Sequence, residues 1–445
     1  MTGDDAKGLI ISTQSHTGGR APFGLAGALK LPPMAPEAYR RALRDKGRDG
    51  GGERLSVYVH LPFCPSRCLT CDHHSNVTHD SREIDRYLDD LECEMRLVTE
   101  QLGRRPTLQQ LHLGGGTPNY LSDTQLAHLT ETIDRYFAVD DDTEASLEAN
   151  AHRASRSQLS LLRGLGFRTL SLEVHELDSE VLKAVGRAQS LRVVADVVDT
   201  ARAVGFDTIG AELRYGLPRQ TAQSIAVTLQ NLLTVAPDRI SCYAHSRHQE
   251  DFEHQRAVDA AQLPSLADKV AMFSRVVDTL CASDYEWIGL DYFAHRSDGL
   301  AQAQRRGELH RNAIGYTAGP QRRVLGFGIN SLSDLSTIRV RNHPGLQQWR
   351  EALAAGELPI CGGEAISPEL RARRDALSDL VCNLRSSDVD QLLGDNCAPA
   401  MRALVDDGLV EIGTDRVCLT DSGRFALHRM YGESATDPQW WDCVA

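Results

Sequence analysis

The sequence predicts an α/β protein: a partial barrel of six strand–helix units, a (β/α)6 arrangement, followed by a C-terminal helical, winged-helix-like domain. Short apolar runs of strand length alternate six times with amphipathic segments of helix length. Repeated strand–helix units give parallel strands joined by right-handed crossovers. Near the C-terminus a helical segment runs into a hairpin at residues 410–420, a winged-helix-like pattern. A chain of 445 residues has room for both parts.

Each of the six predicted strands is followed by a helical pattern. The strands are Ser56–Phe63, Leu108–Leu113, Ala145–Glu148, Thr169–His175, Thr208–Tyr215 and Arg239–Ala244. Between the first two, apolar residues from Ile84 to Leu102 recur at three-to-four spacing, which predicts one helical face. Further helices are expected near Thr124–Phe137, Ser157–Leu165, Leu191–Val204 and Ala222–Thr234.

Four parts are expected along the chain. Residues 1–52 are rich in Gly, Ala, Pro and Arg, and we interpret them as a poorly patterned arm and a flexible linker. Residues 53–290 form the barrel, residues 291–364 a connector that covers the substrate, and residues 365–445 the winged-helix-like domain.

Composition limits the classes of partner. The net charge of −13 disfavours a nucleic-acid partner held by phosphate contacts. No apolar run is long enough to span a membrane, and the acidic N-terminus lacks the apolar core of a signal peptide. Eleven cysteines, eight of them scattered singly, do not form a disulfide framework. We therefore expect a cytoplasmic protein with neither nucleic-acid nor membrane partners.

Three cysteines follow the first predicted strand at C-x3-C-x2-C spacing: Cys64, Cys68 and Cys71. Thiolates are preferred ligands of soft metals and iron–sulfur clusters. Three of them on a [4Fe–4S] cluster leave one iron open, which S-adenosylmethionine (SAM) can chelate through its amino and carboxylate groups. The alternative is a structural zinc site with His73 or His74 as fourth ligand.

A glycine triplet favours the cluster over zinc. Gly114, Gly115 and Gly116 end the second predicted strand and precede Thr117 and Pro118. Such glycines let the backbone approach a ligand and offer it N–H groups. In barrels of this type chemistry occurs at the carboxyl ends of the strands. The cysteines, the glycine triplet and the candidates Glu148, His175 and Glu212 are all predicted there, which indicates a single active site.

By these motifs the chain resembles radical SAM enzymes, and within them the oxygen-independent coproporphyrinogen III oxidases. The resemblance runs from about Leu55 to the C-terminal hairpin. The blocks that carry it are residues 58–71, 114–118, 215–221, 238–241, 289–294, 310–312, 315–317 and 325–328. It implies a radical SAM barrel, a [4Fe–4S] cluster and two SAM molecules.

The resemblance also implies roles for individual residues. The cluster ligands would be Cys64, Cys68 and Cys71. The residues implied to bind SAM are Tyr58, Gly115, Gly116, Thr117, Glu148, His175, Arg187, Glu212, Ser246 and Leu332. Those implied to be catalytic are Tyr58, Glu148, His310 and Arg311. Arg311 and Asn312 would bind propionate carboxylates over the mouth of the barrel.

The chain departs from the family's usual pattern at the same mouth. His73 stands where the family has a further cysteine, and Arg214 stands where it has an apolar residue. A Gly-Val-Gln appears as residues 173–175, which begin with Glu173, and an aspartate appears as Glu212.

Three functions are consistent with these residues. The first is oxidative decarboxylation of propionate side chains to vinyl groups by a 5′-deoxyadenosyl radical, with a porphyrinogen-like substrate and an external electron donor. The second is a two-SAM methyltransferase or cyclopropanase that acts on a specialised metabolite. The third is a haem-carrier protein.

Overall fold

The computed structural model describes residues 31–48, 53–245, 247, 249, 252–320, 322–394 and 398–426. The strands are β1 (Leu55–Leu61), β2 (Phe63–Cys64), β3 (Asn76–Val77), β4 (Leu108–Gly115), β5 (Glu144–Ala149), β6 (Thr169–His175), β7 (Thr208–Tyr215), β8 (Arg239–Ala244), β9 (Tyr285–Trp287), β10 (Tyr292–His295), β11 (His310–Arg311), β12 (Tyr316–Thr317), β13 (Val324–Phe327), β14 (Leu332–Asp334), β15 (Ile338–Asn342), β16 (Ile360–Ala365), β17 (Arg385–Ser386), β18 (Val410–Ile412) and β19 (Val417–Leu419).

The helices lie between these strands. They are α1 (Pro36–Arg48), α2 (Ser81–Leu102), α3 (Asp123–Tyr136), α4 (Arg156–Gly164), α5 (Ser179–Ala184), α6 (Leu191–Val204), α7 (Ala222–Leu233), α8 (Leu266–Cys281), α9 (Gly299–Arg306), α10 (Leu346–Ala354), α11 (Pro368–Asn383), α12 (Val389–Leu393) and α13 (Ala398–Asp406). None of the described helices is long and apolar enough to cross a membrane.

One 12-stranded sheet organises the chain, in the order β16-β15-β14-β13-β1-β4-β5-β6-β7-β8-β10-β9. The six predicted barrel strands are consecutive and parallel from β1 to β8. The predicted α/β class with a partial barrel is therefore confirmed. A seventh parallel strand, β13, adds to the free edge of β1, and the sequence analysis did not predict it.

Alternation along the strands separates an apolar face from a polar one. Val57, Val59 and Leu61 of β1 are fully buried in the hydrophobic core formed with the helices. Tyr58 and His60, on the opposite face of the same strand, belong to the barrel interior. Since successive strand residues point to opposite faces, the barrel interior is a polar chamber, whereas the core lies outside it.

The expectation of an unpatterned arm fails for residues 36–48. They form α1, which packs against α2 and β15. Tyr39 and Leu43 are buried, and the hydroxyl of Tyr39 donates to Ser333 Oγ at 3.2 Å. This i, i+4 spacing places both side chains on one helix face. Residues 1–30 and 49–52 lie outside the described part.

The C-terminal segment has a small core of its own. Helices α11 to α13 pack with a three-stranded sheet in the order β17-β19-β18. Leu377, Leu392, Met401 and Val417 belong to this core. The arrangement agrees with the predicted helical, winged-helix-like segment. The four domain boundaries remain a prediction, and strands from residues 291–364 share the main sheet with the barrel strands.

Candidate active site

The cysteine loop begins at the carboxyl end of β1 and returns through β3. Its start is fixed by backbone hydrogen bonds to the glycine turn: the Gly116 amide donates to Leu61 O at 2.8 Å, and the Thr117 amide donates to Phe63 O at 3.0 Å. β2 and β3 pair in parallel at the base of the loop. The loop therefore lies directly over the ends of β1 and β4.

Each cysteine thiol has a polar neighbour from a different part of the chain. Thr117 Oγ1 donates to Cys64 Sγ at 3.5 Å, and Arg187 Nη1 donates to Cys68 Sγ at 3.3 Å. Cys71 Sγ lies 3.6 Å from Ser75 Oγ. Such donors stabilise thiolates, which are the form that binds iron.

Burial has unequal consequences for these thiols. It raises the pKa of Cys64 to about 12. Burial also raises the pKa of Cys71, but hydrogen bonds from His254 and His73 outweigh it and lower that pKa to about 5. His254 Nε2 and Gln255 Nε2 also donate to the carbonyl oxygen of Cys71, at 2.8 and 2.9 Å. The third cysteine is thus held from outside the loop.

The glycine triplet allows close backbone packing. Gly115 has a φ of +116°, and a Cβ there would lie 2.6 Å from His60 Nδ1. A Cβ on Gly116 would lie 2.7 Å from the carbonyl carbon of Pro62. The Gly115 amide donates to Glu148 Oε2 at 2.9 Å. In the structure the amides of Gly115, Gly116 and Thr117 donate to protein oxygens. A contact of these residues with SAM remains a prediction.

An aromatic and imidazole cluster lies beneath the glycine turn. Tyr58 stacks on His112 with ring centroids 5.9 Å apart. His112 Nε2 donates to Glu148 Oε1 at 3.3 Å, and His112 Nδ1 lies 2.8 Å from Ser146 Oγ. Burial would raise the pKa of Glu148, but the hydrogen bond and charge of His112 hold it below its usual value. Sequence reasoning did not identify His112.

Two further glutamates face each other across β6 and β7. Glu173 and Glu212 are register partners, a like-charge pair that costs stability when both are ionised. Burial raises the pKa of Glu173 to about 7, and the charges of Glu212 and Glu148 add to this against the opposing guanidinium of Arg187. Arg187 Nη2 donates to the carbonyl oxygen of Glu173 at 3.0 Å. Burial also raises the pKa of Glu212, which accepts from Ser171 at 2.7 Å.

Arg214 forms an ion pair that sequence reasoning missed. Its Nη1 and Nη2 donate to Asp72 Oδ2 and Oδ1, each at 2.9 Å. His73 Nδ1 lies 3.1 Å from Asp72 Oδ1. Despite burial, Arg214 and His73 hold the pKa of Asp72 well below its usual value. A charged residue on a buried strand requires a partner, so the charge of Arg214 was a signal pointing to an acidic neighbour.

Two other predicted positions lie at the same end of the barrel. His175 ends β6 with a φ of +61° beside a bulge in the pairing with β7, and burial holds its pKa well below the usual value. Leu332 begins β14 after the turn at the end of β13. Ser246 lies outside the described residues.

The strand β11, which begins at His310, packs against α11 of the C-terminal segment. His310 Nδ1 lies 3.3 Å from Arg322 Nη2, which is held by Asp375 and Asp379 of α11. His310 therefore faces the C-terminal segment, and its implied catalytic role remains a prediction.

Asn312 does not lie over the mouth of the barrel, where it was expected to bind a propionate carboxylate. Asn312 Nδ2 donates to Gln110 Oε1 at 2.7 Å. Gln110 is the register partner of Ser56, near the amino end of β1 and opposite the cysteine loop. Arg311 lies over the Tyr316 ring, 5.4 Å from its centroid. A role for Arg311 remains a prediction.

Comparison with known proteins identifies the family. The radical SAM superfamily matches residues 58–232. The oxygen-independent coproporphyrinogen III oxidase of Pseudomonas aeruginosa is 34% identical over 405 residues, covering 88% of each chain. That of Escherichia coli K12 is 33% identical over 385 residues, covering 84% of each. The chain belongs to the oxygen-independent coproporphyrinogen III oxidase family.

A solved structure of this family extends the likeness to the fold. The coproporphyrinogen III oxidase of Escherichia coli, described as a radical SAM enzyme, matches with a TM-score of 0.85 and 31% identity. The match covers 95% of this chain and 97% of that one.

The cofactors of this family are a [4Fe–4S] cluster and SAM. The donor set fits them: three thiols in one short loop have stabilising donors at Cys64 and Cys68, whereas the interior beneath is acidic. Glu148, Glu173 and Glu212 suit a ligand with ammonium and sulfonium charges.

His73 is expected not to bind the cluster, because its Nδ1 lies 3.1 Å from Asp72 Oδ1 and the fourth iron would be left for SAM. His73→Ala should therefore retain the full iron content after anaerobic reconstitution, as measured by iron and sulfide analysis. Iron loss as severe as in a cysteine variant would contradict this expectation.

Because of Glu173, the free energy of unfolding of the apoprotein should decrease as the pH rises. Its pKa is raised on folding, so the folded state binds the extra proton, and stability present below about pH 4.5 is lost as the pH rises through about 7. Glu173→Gln should match the wild type in thermal midpoint at pH 5. At pH 8 it should be more stable by up to about 2–3 kcal/mol. Glu411 is exposed on β18, and the control Glu411→Gln should differ from the wild type by the same amount at pH 5 and at pH 8. A stability difference that is equally independent of pH in Glu173→Gln would refute the assignment.

Proposed function

We propose that the protein oxidatively decarboxylates propionate side chains of coproporphyrinogen III, or of a closely similar porphyrinogen, to vinyl groups. The observation that carries the proposal is the fold-wide match to the coproporphyrinogen III oxidase of Escherichia coli, over 95% of this chain. The curated relatives with the same activity in their names support it at 33–34% identity.

The arrangement of the chain's own residues is consistent with this chemistry. When bound, the cluster and SAM together supply the low-potential electron and the hydrogen-abstracting radical of the radical SAM reaction. Cys64, Cys68 and Cys71 would hold the cluster in the loop above β1. Arg187, with 8% of its side chain exposed, would orient the second cysteine through its hydrogen bond.

The barrel interior would bind SAM and keep it from water. Glu148 presents a carboxylate fixed by Gly115 and His112, which suits an ammonium group. Glu173 and Glu212 lie on β6 and β7, two residues nearer the carboxyl ends of the strands than the level of Glu148, and suit further cationic or hydroxyl groups. A second SAM molecule, implied by the family resemblance, would extend towards His175 and Leu332. Arg311 is the candidate for a propionate contact.

Anaerobic product analysis tests the proposal. Reconstituted protein is supplied with a reductant, coproporphyrinogen III and SAM labelled in its methyl carbon. We expect carbon dioxide release, formation of vinyl groups and label retained in methionine. Label in the product would instead show methyl transfer, and haem binding without SAM cleavage would indicate a carrier; either result would overturn the proposal.

The reaction also needs a partner and a compartment. We propose that an external one-electron donor reduces the cluster and that the protein works in the cytoplasm.

A further inference from the structure

The Asp72–Arg214 ion pair lies at the cysteine loop and not on an outer surface. Asp72 directly follows Cys71, and Arg214 lies near the carboxyl end of β7. Only 17% of the Asp72 side chain and 9% of the Arg214 side chain are exposed. Both guanidinium nitrogens donate at 2.9 Å, the bidentate geometry that fixes a guanidinium and a carboxylate relative to each other.

Asp72 is one of the carboxylates among a group of cations around the loop; another, Glu173, lies 3.9 Å from Arg187. Asp72 contacts Arg214 and His73. A third cation, Arg187, donates to Cys68 Sγ at 3.3 Å. If the carboxylate of Asp72 were removed, Arg214 would remain charged and buried beside the thiolates, with Glu212 as a more distant counter-charge.

Charge at this position acts directly on a cluster. Reduction adds one negative charge, so a nearby cation stabilises the reduced form and raises the reduction potential. A nearby anion has the opposite effect. These effects are large where water is excluded. Net charge, hydrogen bonds to sulfur and solvent exposure are the quantities that set cluster potentials, and SAM cleavage needs the low end of the range.

We propose that Asp72 neutralises Arg214 beside the cluster and thereby keeps the reduction potential of the cluster low. Arg214 is a positioning residue, which ties the loop to β7 through Asp72 without contacting the cluster. The inference depends on the cluster and not on the proposed porphyrinogen substrate.

A charge-removal series tests this with a redox titration followed by electron paramagnetic resonance, without SAM or substrate. Asp72→Asn should raise the midpoint potential, and Arg214→Gln should lower it. We expect about a tenfold change in the one-electron reduction equilibrium in each case, equivalent to about 59 mV. The double variant should return close to the wild-type potential, because both charges are then absent.

The opposite directions of the two shifts in midpoint potential distinguish this role from a merely structural one. A loosened loop exposes the cluster to water, which favours the more highly charged reduced form and raises the potential in any variant. A lower potential in Arg214→Gln has no such explanation. If Asp72→Asn cannot retain the cluster, Arg214→Gln and the charge-conserving Arg214→Lys still decide the matter, since the lysine variant should keep the wild-type potential.

A matched ion pair at the other end of the barrel provides the control. Arg239 Nε donates to Asp298 Oδ2 at 2.9 Å, and Arg239 begins β8 at its amino end. Asp298→Asn can still cap α9 through the amide of Leu300 and should leave the potential unchanged. The proposal fails if Arg214→Gln leaves the potential unchanged or raises it, or if Asp72→Asn lowers it. Failure of porphyrinogen turnover would leave these potentials, and so the inference, unaffected.

Discussion

Cys68→Ala should abolish SAM cleavage and reduce the iron content well below about four irons per chain. Cys68 lies in the middle of the cysteine loop, and its thiol is the one that Arg187 contacts. Without that thiolate, a second iron of the cluster would have no protein ligand, and Arg187 Nη1 would lose the sulfur to which it donates. The measurements are iron and sulfide analysis after anaerobic reconstitution, and the rate of 5′-deoxyadenosine formation.

Cys281→Ala is the control for loss of a thiol. Cys281 ends α8 and is exposed, so its replacement should leave both iron and SAM cleavage unchanged. Stoichiometric zinc without acid-labile sulfide in the wild type, or full iron in Cys68→Ala, would contradict the assignment of the loop to the cluster.

Glu148→Gln should weaken SAM binding by about tenfold to a hundredfold, because an amide replaces a partly buried carboxylate that suits the ammonium group of SAM. The substitution keeps the size of the side chain. Only one oxygen remains in the glutamine side chain. It can accept from the Gly115 amide or from His112, so the two charge-assisted hydrogen bonds of the carboxylate are not both kept. Equilibrium dialysis of reconstituted protein with labelled SAM gives the dissociation constant.

Glu144→Gln is the matched control on the same strand and face. Glu144 begins β5 and accepts from Gln110 and Thr317, at the end of the barrel away from the cysteine loop. We expect its SAM affinity to match the wild type. Equal losses in the two variants would indicate a general effect of interior charge and would refute a specific contact at Glu148.

Short-range sequence patterns were sufficient to predict the barrel strands. β6, β7 and β8 begin and end at the predicted residues, because each is an apolar run bounded by helix caps or turn residues. The same reasoning found the cysteine loop and the glycine turn, whose spacing is visible in a few adjacent residues.

Long-range contacts gave no such signal. β13 pairs with β1 although most of the barrel lies between them in sequence, and a four-residue apolar run does not indicate its partner. The pattern around His310 gave no sign that its neighbour is Arg322, which is held by carboxylates of α11. Asp72 directly follows the cysteine motif, and nothing in the neighbouring sequence indicates that folding brings Arg214 to it.

The position of β13 has a consequence for the order of events during synthesis. A ribosome releases β1 and its cysteines early, but β13 emerges only after the whole barrel has been made. Until then one edge of β1 has unpaired backbone groups and can pair with other chains. A Cβ on Gly328, just after β13, would lie 2.7 Å from His60 O, and His60 Nε2 donates to His74 O in the loop at 3.0 Å. The backbone that supports the cysteine loop is therefore completely packed only late in translation or after release of the chain.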